Sequence, residues 1–286
     1  MTAYLNLFLF GILATVAHAQ VTVALKFDRD TYLVNEPVTA VVTITNRSGS
    51  ELFVHSEAKG RITRSWLEFS MRHTGGDSLP RLNHGAFRAA KLPAGQALSR
   101  RVNMSQLYAV SKQGNFSSNA RVQIGEQVYN SNTAHFTVSE GSTYFSQPFG
   151  APNTKHPNRE YRVIAFNDGK SNSIYAAVHD AKTRRSLSTG RISNVLLFQR
   201  PQATIDGKNN MHVLYLTNPE IFVHAIVNKD GQLASSKYYK RTDAGIPTLA
   251  AQRDGKVLVR GGFVYDPKKE AEERGKARRI SERPGQ

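Results

Sequence analysis

Cysteine is absent from all 286 residues. That excludes disulfides, thiol lipidation and cysteine catalysis together. Tryptophan occurs once, as Trp66, in a setting that reads as sandwich core. Other missing patterns narrow the chemistry. No H-E-x-x-H, no G-x-S-x-G and no Asp-x-Asp-x-Asp-Gly array occurs, so zincin, serine-hydrolase and EF-hand readings have no support. Glycoside hydrolysis needs two converging carboxylates. Asp28, Asp30, Glu36, Glu51, Glu57, Glu68 and Asp77 sit mostly at turns. The expectation is therefore no catalysis, no metal and no cofactor.

Acidic residues are also few beside basic ones: 22 Asp plus Glu against 38 Lys plus Arg, a net charge of +16. The tail from Pro267 carries seven Lys or Arg and four Glu, a net of +3, so most of the excess belongs to the folded body. Such a charge favours acidic glycans, phospholipid headgroups or an acidic protein. Nucleic acid is the least attractive partner, because the N-terminus looks like an export signal. In "MTAYLNLFLFGILATVAHAQ" the run from Tyr4 to Val16 is mostly apolar and Ala17-His18-Ala19 gives a small-x-small cleavage pattern, so residues 1–19 read as a signal peptide. The run is too short to span a membrane. The expected location is periplasmic or secreted, with no transmembrane segment after cleavage.

From Val21 the pattern has period two. Val21, Val23, Leu25 and Phe27 share one face, as do Val38, Ala40, Val42 and Ile44. Both are strand signatures. Further strands are expected in "ELFVH", "RSWLEFSM", "QALSRRVNM", "NARVQI" and "AHFTVS", a density that fits a β-sandwich. The order "YLVNEPVTAVVTITNRSGSELFV", "LYAVSKQGNFSSNARVQIG", "SNTAHFTVSEG" is similar to the immunoglobulin-like domains of bacterial exported proteins. The resemblance covers residues 20–141 and implies a scaffold, without a function of its own. Residues 142–159, rich in Gly, Pro, Asn and Ser, read as a linker.

Residues 160–266 repeat a tripeptide, Asp-Gly-Lys, at 168, 206 and 254, each followed by a strand pattern. Asp-Gly favours tight hairpin turns, so the copies read as architecture. The region resembles the β-propeller-type repeats of exported glycan-binding and sialidase-like proteins. Its length supplies too few blades to close, so a second sandwich or an incomplete propeller-like stack is expected, with oligomerisation as the route to a full ring. The whole chain is thus expected to be all-β, with residues 267–286 a charged tail, read as disordered in preference to an exposed helical stub over 268–279.

Two side-chain groupings stand out. Arg184 and Arg185 in "AKTRRSLSTGR", and Lys237, Tyr239 and Arg241 in "SSKYYKRTD", combine cations with an aromatic face suited to sugars or anions. The competing reading of the second stretch is a plain hairpin with Tyr238 inward and Tyr239 outward. His212 and His224 form the other grouping. A turn near Asn218 and Pro219 would pair Leu216 with Phe222, Leu214 with His224 and His212 with Ile226, leaving the histidines as diagonal neighbours edging an apolar core. The functional expectation is an exported, non-enzymatic binding or structural protein of the envelope that recognises an acidic glycan or protein. A glycan-active hydrolase or lyase, and a self-assembling β scaffold, are the alternatives.

Overall fold

The computed structural model describes residues 21–281 apart from 60, 61, 77 and 244. The segment read as a signal peptide, together with Arg61 and Asp77, lies outside the described residues. The protein is all-β: strands dominate the described residues, and helix is confined to two short segments. Among the described residues the sheets close into neither a propeller nor a barrel.

The first region runs through β1 (Val21–Phe27), β2 (Thr31–Leu33), β3 (Thr39–Asn46), β4 (Leu52–Val54), β5 (Glu57–Lys59), β6 (Ile62–Arg64), β7 (Leu67–His73), β8 (Ala90–Leu92) and β9 (Ala97–Asn103). A one-turn helix, α1 (Met104–Leu107), precedes β10 (Gly114–Ile124), β11 (Gln127–Asn130) and β12 (Ala134–Ser139). One sheet is ordered β1-β3-β9; the other is β11-β10-β12-β2, with β7 on the opposite edge of β10. Alternation makes the sandwich. Val38, Ala40, Val42 and Ile44 are all buried, and they meet Phe116, Ala120 and Val122 from the facing sheet in a single core. Each large side chain buried there contributes about 1.5–3 kcal/mol. Trp66 belongs to this core, 1% exposed, with its indole N–H donating to the Phe87 carbonyl.

The second region starts earlier than its sequence suggests. Residues 142–150, expected as linker, form β13 (Ser142–Gly150), which pairs with β14 (Asn158–Asn167). Pro148 made this stretch look loop-like, yet β13 is an edge strand, where a residue without N–H is tolerated. β15 (Asn172–Asp180) and β16 (Ser186–Asn194) complete a four-stranded meander. A second meander, β17 (Gln202–Ile205), β18 (Met211–Asn218), β19 (Ile221–Val227) and β20 (Leu233–Lys240), packs face to face on the first. Tyr161, Ile174 and Val178 from one sheet and Met211, Val213 and Tyr215 from the other form their shared core. A hairpin, β21 (Thr248–Ala251) and β22 (Val257–Arg260), adds a partial third layer: Leu249 and Val259 cover Leu214, Leu216 and Phe222. The next strand, β23 (Phe263–Tyr265), joins β20 rather than β22. The stack therefore stops after two full sheets and a hairpin.

The Asp-Gly-Lys copies do not mark one repeat. Asp206 and Asp254 occupy matching turns, β17–β18 and β21–β22, and the Gly207 N–H donates to the Gly255 carbonyl at 2.8 Å. Asp168 lies in the β14–β15 turn, at the other end of its sheet. The tail differs from expectation too. Residues Pro267–Ser281 form helix α2, where the Asp266 side chain accepts from the N–H of Lys268 and proline opens the first turn. Among the described residues no helix is long and apolar enough to cross a membrane.

Candidate functional site

Between β12 and β13 only Glu140 and Gly141 intervene, so the two regions are pressed together. A Cβ at Gly141 would fall 2.6 Å from the Ala165 carbonyl oxygen; only glycine allows this approach. Leu33 of the first region packs on Phe166 and Tyr175 of the second. Around them Arg29 stacks on Tyr32 at 4.6 Å, pairs with Glu36 and donates to the Tyr175 hydroxyl at 2.9 Å. Glu36 also accepts from the Leu33 N–H. Its charge is thus consumed inside the joint. Burial, followed by the nearby Glu36 charge, pushes the Tyr175 hydroxyl up to about 12, so it is a neutral hydrogen-bonding group here.

Beside this joint lies a hollow of about 570 Å³, walled on one side by Asn35 and Ser105 and on the other by Arg185, Ser186 and Ser188. It shares Ala109 and Ser111 with a neighbouring hollow of about 450 Å³ that adds His73 and Lys112. Together they make a trough rimmed by hydroxyls and two cations. Arg185 follows the β15–β16 turn, whose shape is set by Asp180: its carboxylate accepts from the N–H of Lys182 and Thr183, the Thr183 hydroxyl and His156. The Thr183 amide, then His156, hold the Asp180 carboxyl down at about 2. Among the described residues the Arg185 guanidinium forms no ion pair. It is available to a ligand.

The five residues singled out from sequence fall into separate places. Arg184, with a left-handed φ of 56°, and Arg185 are exposed on the β15–β16 turn, and only Arg185 lines the trough. Lys237, Tyr239 and Arg241 lie on or just beyond β20 in the other sheet. Tyr239 is partly buried against the Leu214–Leu216–Phe222 cluster while Tyr238 is 37% exposed, which reverses the expected inward and outward assignment. The reason is the third layer: the hairpin covers the face that Tyr239 occupies.

The histidine pairing has the expected register, Leu216 with Phe222, Leu214 with His224 and His212 with Ile226. The two rings stack with centroids 5.0 Å apart, and His212 Nδ1 lies 2.9 Å from His224 Nε2. Sequence reasoning missed their third member, Asp206, 3.2 Å from His212 Nε2. A usable signal existed. Thr204 pairs with His212, so Asp206, two residues on, returns to the same face. Asp206 also accepts from the N–H of Lys208 and Asn210 and from the Asn210 side chain. Burial pushes its carboxyl up, but these bonds outweigh it and leave it below the ordinary value. A carboxylate only accepts, so His212 donates from Nε2 and receives the His224 Nε2–H at Nδ1. The result is a chain, not a cage: among the described residues no group of three His, Asp or Glu converges to hold a metal. Burial first, then His212 and Lys237, depress His224 to about 4.

No protein-family model matches the chain, and no curated protein does. Among solved structures it is similar to the crystal structure of Spo0M, sporulation control protein, from Bacillus subtilis, with 10% identity over 62% of this chain and 91% of that one. The TM-score is 0.28, and no conclusion about fold or function follows from a likeness of that size.

Proposed function

We propose that this protein is an exported, non-enzymatic binding protein of the cell envelope that holds an acidic glycan in the trough between its two β regions. The observation that carries the reading is the composition of the trough: Ser105, Ser111, Ser186 and Ser188 offer hydroxyls, and Arg185 offers a guanidinium with no ion pair among the described residues. Hydroxyl-rich ligands need many weak donors and acceptors, and a sugar carboxylate is matched by the planar fork of arginine. The net charge of +16 supplies long-range attraction for the same ligand. In this reading the first region is an immunoglobulin-like scaffold, residues 1–19 direct export, and the paired sheets keep the trough walls rigid. An acidic segment of an envelope protein is the second ligand that the charge would suit.

The test is a glycan array containing uronic-acid and neutral oligosaccharides, probed at low and high salt. Uronic-acid binding that weakens with salt is expected, and Arg185→Ala reduces it about tenfold, the scale of one charge-assisted contact. A Lys237→Ala/Arg241→Ala variant binds as the parent does. Equal binding by the Arg185 variant, or preference for neutral sugars, would remove the trough from the reading.

A further inference from the structure

We propose that the end of the second region formed by the β16–β17 and β20–β21 connections is a docking surface for an anionic lipid bilayer. The topology gathers unusual exposure at this end. Phe198 is 86% exposed, Phe263 51% and Ile246 50%, with Leu197 at 36% beside them. They are brought together by packing beneath. Leu196 packs on the same Leu214–Leu216–Phe222 cluster as Leu249 and Val259, and the Leu249 N–H donates to the Gln202 side chain at 2.9 Å, which sets the β16–β17 connection and the start of β21 at one end of the sheet. Gly261 and Gly262 press on the Ile246 carbonyl, Pro247 and the Lys240 carbonyl, and Phe263 pairs across from Lys240. Both glycines have positive φ, 78° and 69°. The chain reverses there and delivers Phe263 to the same end.

Singly exposed apolar residues are ordinary; a group at one end is not. Its surroundings select the partner. Arg200, Lys240, Arg241 and Arg260 belong to the same connections and strand ends, against Glu220 and Asp243. Glu220 and Lys240 pair at 3.5 Å and cancel, which leaves Arg200, Arg241 and Arg260 against Asp243. The remaining balance is cationic. Aromatic and aliphatic tips accompanied by arginines suit a headgroup layer, where rings enter the interface and cations meet lipid phosphates. A second copy of this chain would place like charges against each other. This surface is separate from the trough and does not depend on it.

The experiment is flotation of the purified protein with phosphatidylcholine vesicles, with and without phosphatidylglycerol, at low and high salt. Binding is expected only to the anionic vesicles and only at low salt. Phe198→Ser with Phe263→Ser lowers the bound fraction about tenfold, the order of two lost interfacial anchors, and Arg241→Glu lowers it several-fold. Phe198 is 86% exposed, so Phe198→Ser alone is expected to keep the parental thermal transition while still lowering the bound fraction several-fold, which separates lost anchoring from lost folding. Equal binding by the double-serine variant, no binding by the parent, or a parental dimer that the variant turns into a monomer would each overturn the proposal.

Discussion

His224 is the residue whose surroundings make the sharpest demand on pH. Facing it are His212 with Asp206 behind, Lys237 across the strand pair and Tyr239 on the same face. No acid touches its own ring, so protonation places a buried cation against a histidine and a lysine. Its value in the folded state, about 4, lies below the ordinary 6.5. A depressed folded value means that stability is complete above about pH 6.5 and is lost as pH falls towards 4. Between pH 7 and pH 5 the loss assigned to this ring is at most about 2 kcal/mol. Denaturant unfolding at both pH values measures it. The parent is expected to lose more stability than His224→Leu, and an NMR titration places the His224 midpoint near 4. A midpoint near 6.5 would show that the ring is not confined as described.

At the scale of elements, the Asp-Gly-Lys turn at 168, which stands alone, and the one at 254, which touches its match at 206, offer a comparison within one molecule. Gly169 and Gly255 have nearly the same φ, 86° and 80°. A Cβ on Gly169 meets nothing within 4 Å, whereas one on Gly255 falls 3.2 Å from Gly207 Cα. Alanine at either position carries the left-handed penalty of about 1–2 kcal/mol. Gly255→Ala must also part the two turns, so its thermal transition is expected below that of Gly169→Ala. Equal transitions would mean that the turn-to-turn contact contributes nothing. Strand alternation was legible wherever one face was clearly apolar, as in β1 and β3, and so was the β18–β19 register. Two elements escaped for local reasons. β13 contains Pro148 and mostly exposed side chains, features of an edge rather than of a linker. α2 lacks an apolar face, yet Asp266, Pro267 and Glu270 supply a start signal that composition alone hid. The sheet stack itself was legible, but identical tripeptides do not mark equivalent positions in it, because Asp168 closes a β14–β15 turn apart from the matched turns at Asp206 and Asp254.

Across the whole molecule, the trough exists because the joint fixes two sandwiches against each other. Tyr175 is 146 residues from Arg29, and nothing in the local pattern around Arg29 and Glu36 announced that it meets them. Arg185 could be singled out as a cation in a basic stretch, but its opposite wall, Asn35 and Ser105, belongs to the other region. A site made between regions is visible only after both have folded. The most direct measurement of the central claim is hydrogen–deuterium exchange with and without an oligogalacturonate. The trough reading predicts slowed exchange in both walls together, at 105–111 and 185–189, with 237–241 unchanged. Protection confined to 237–241, or to one wall alone, would contradict it.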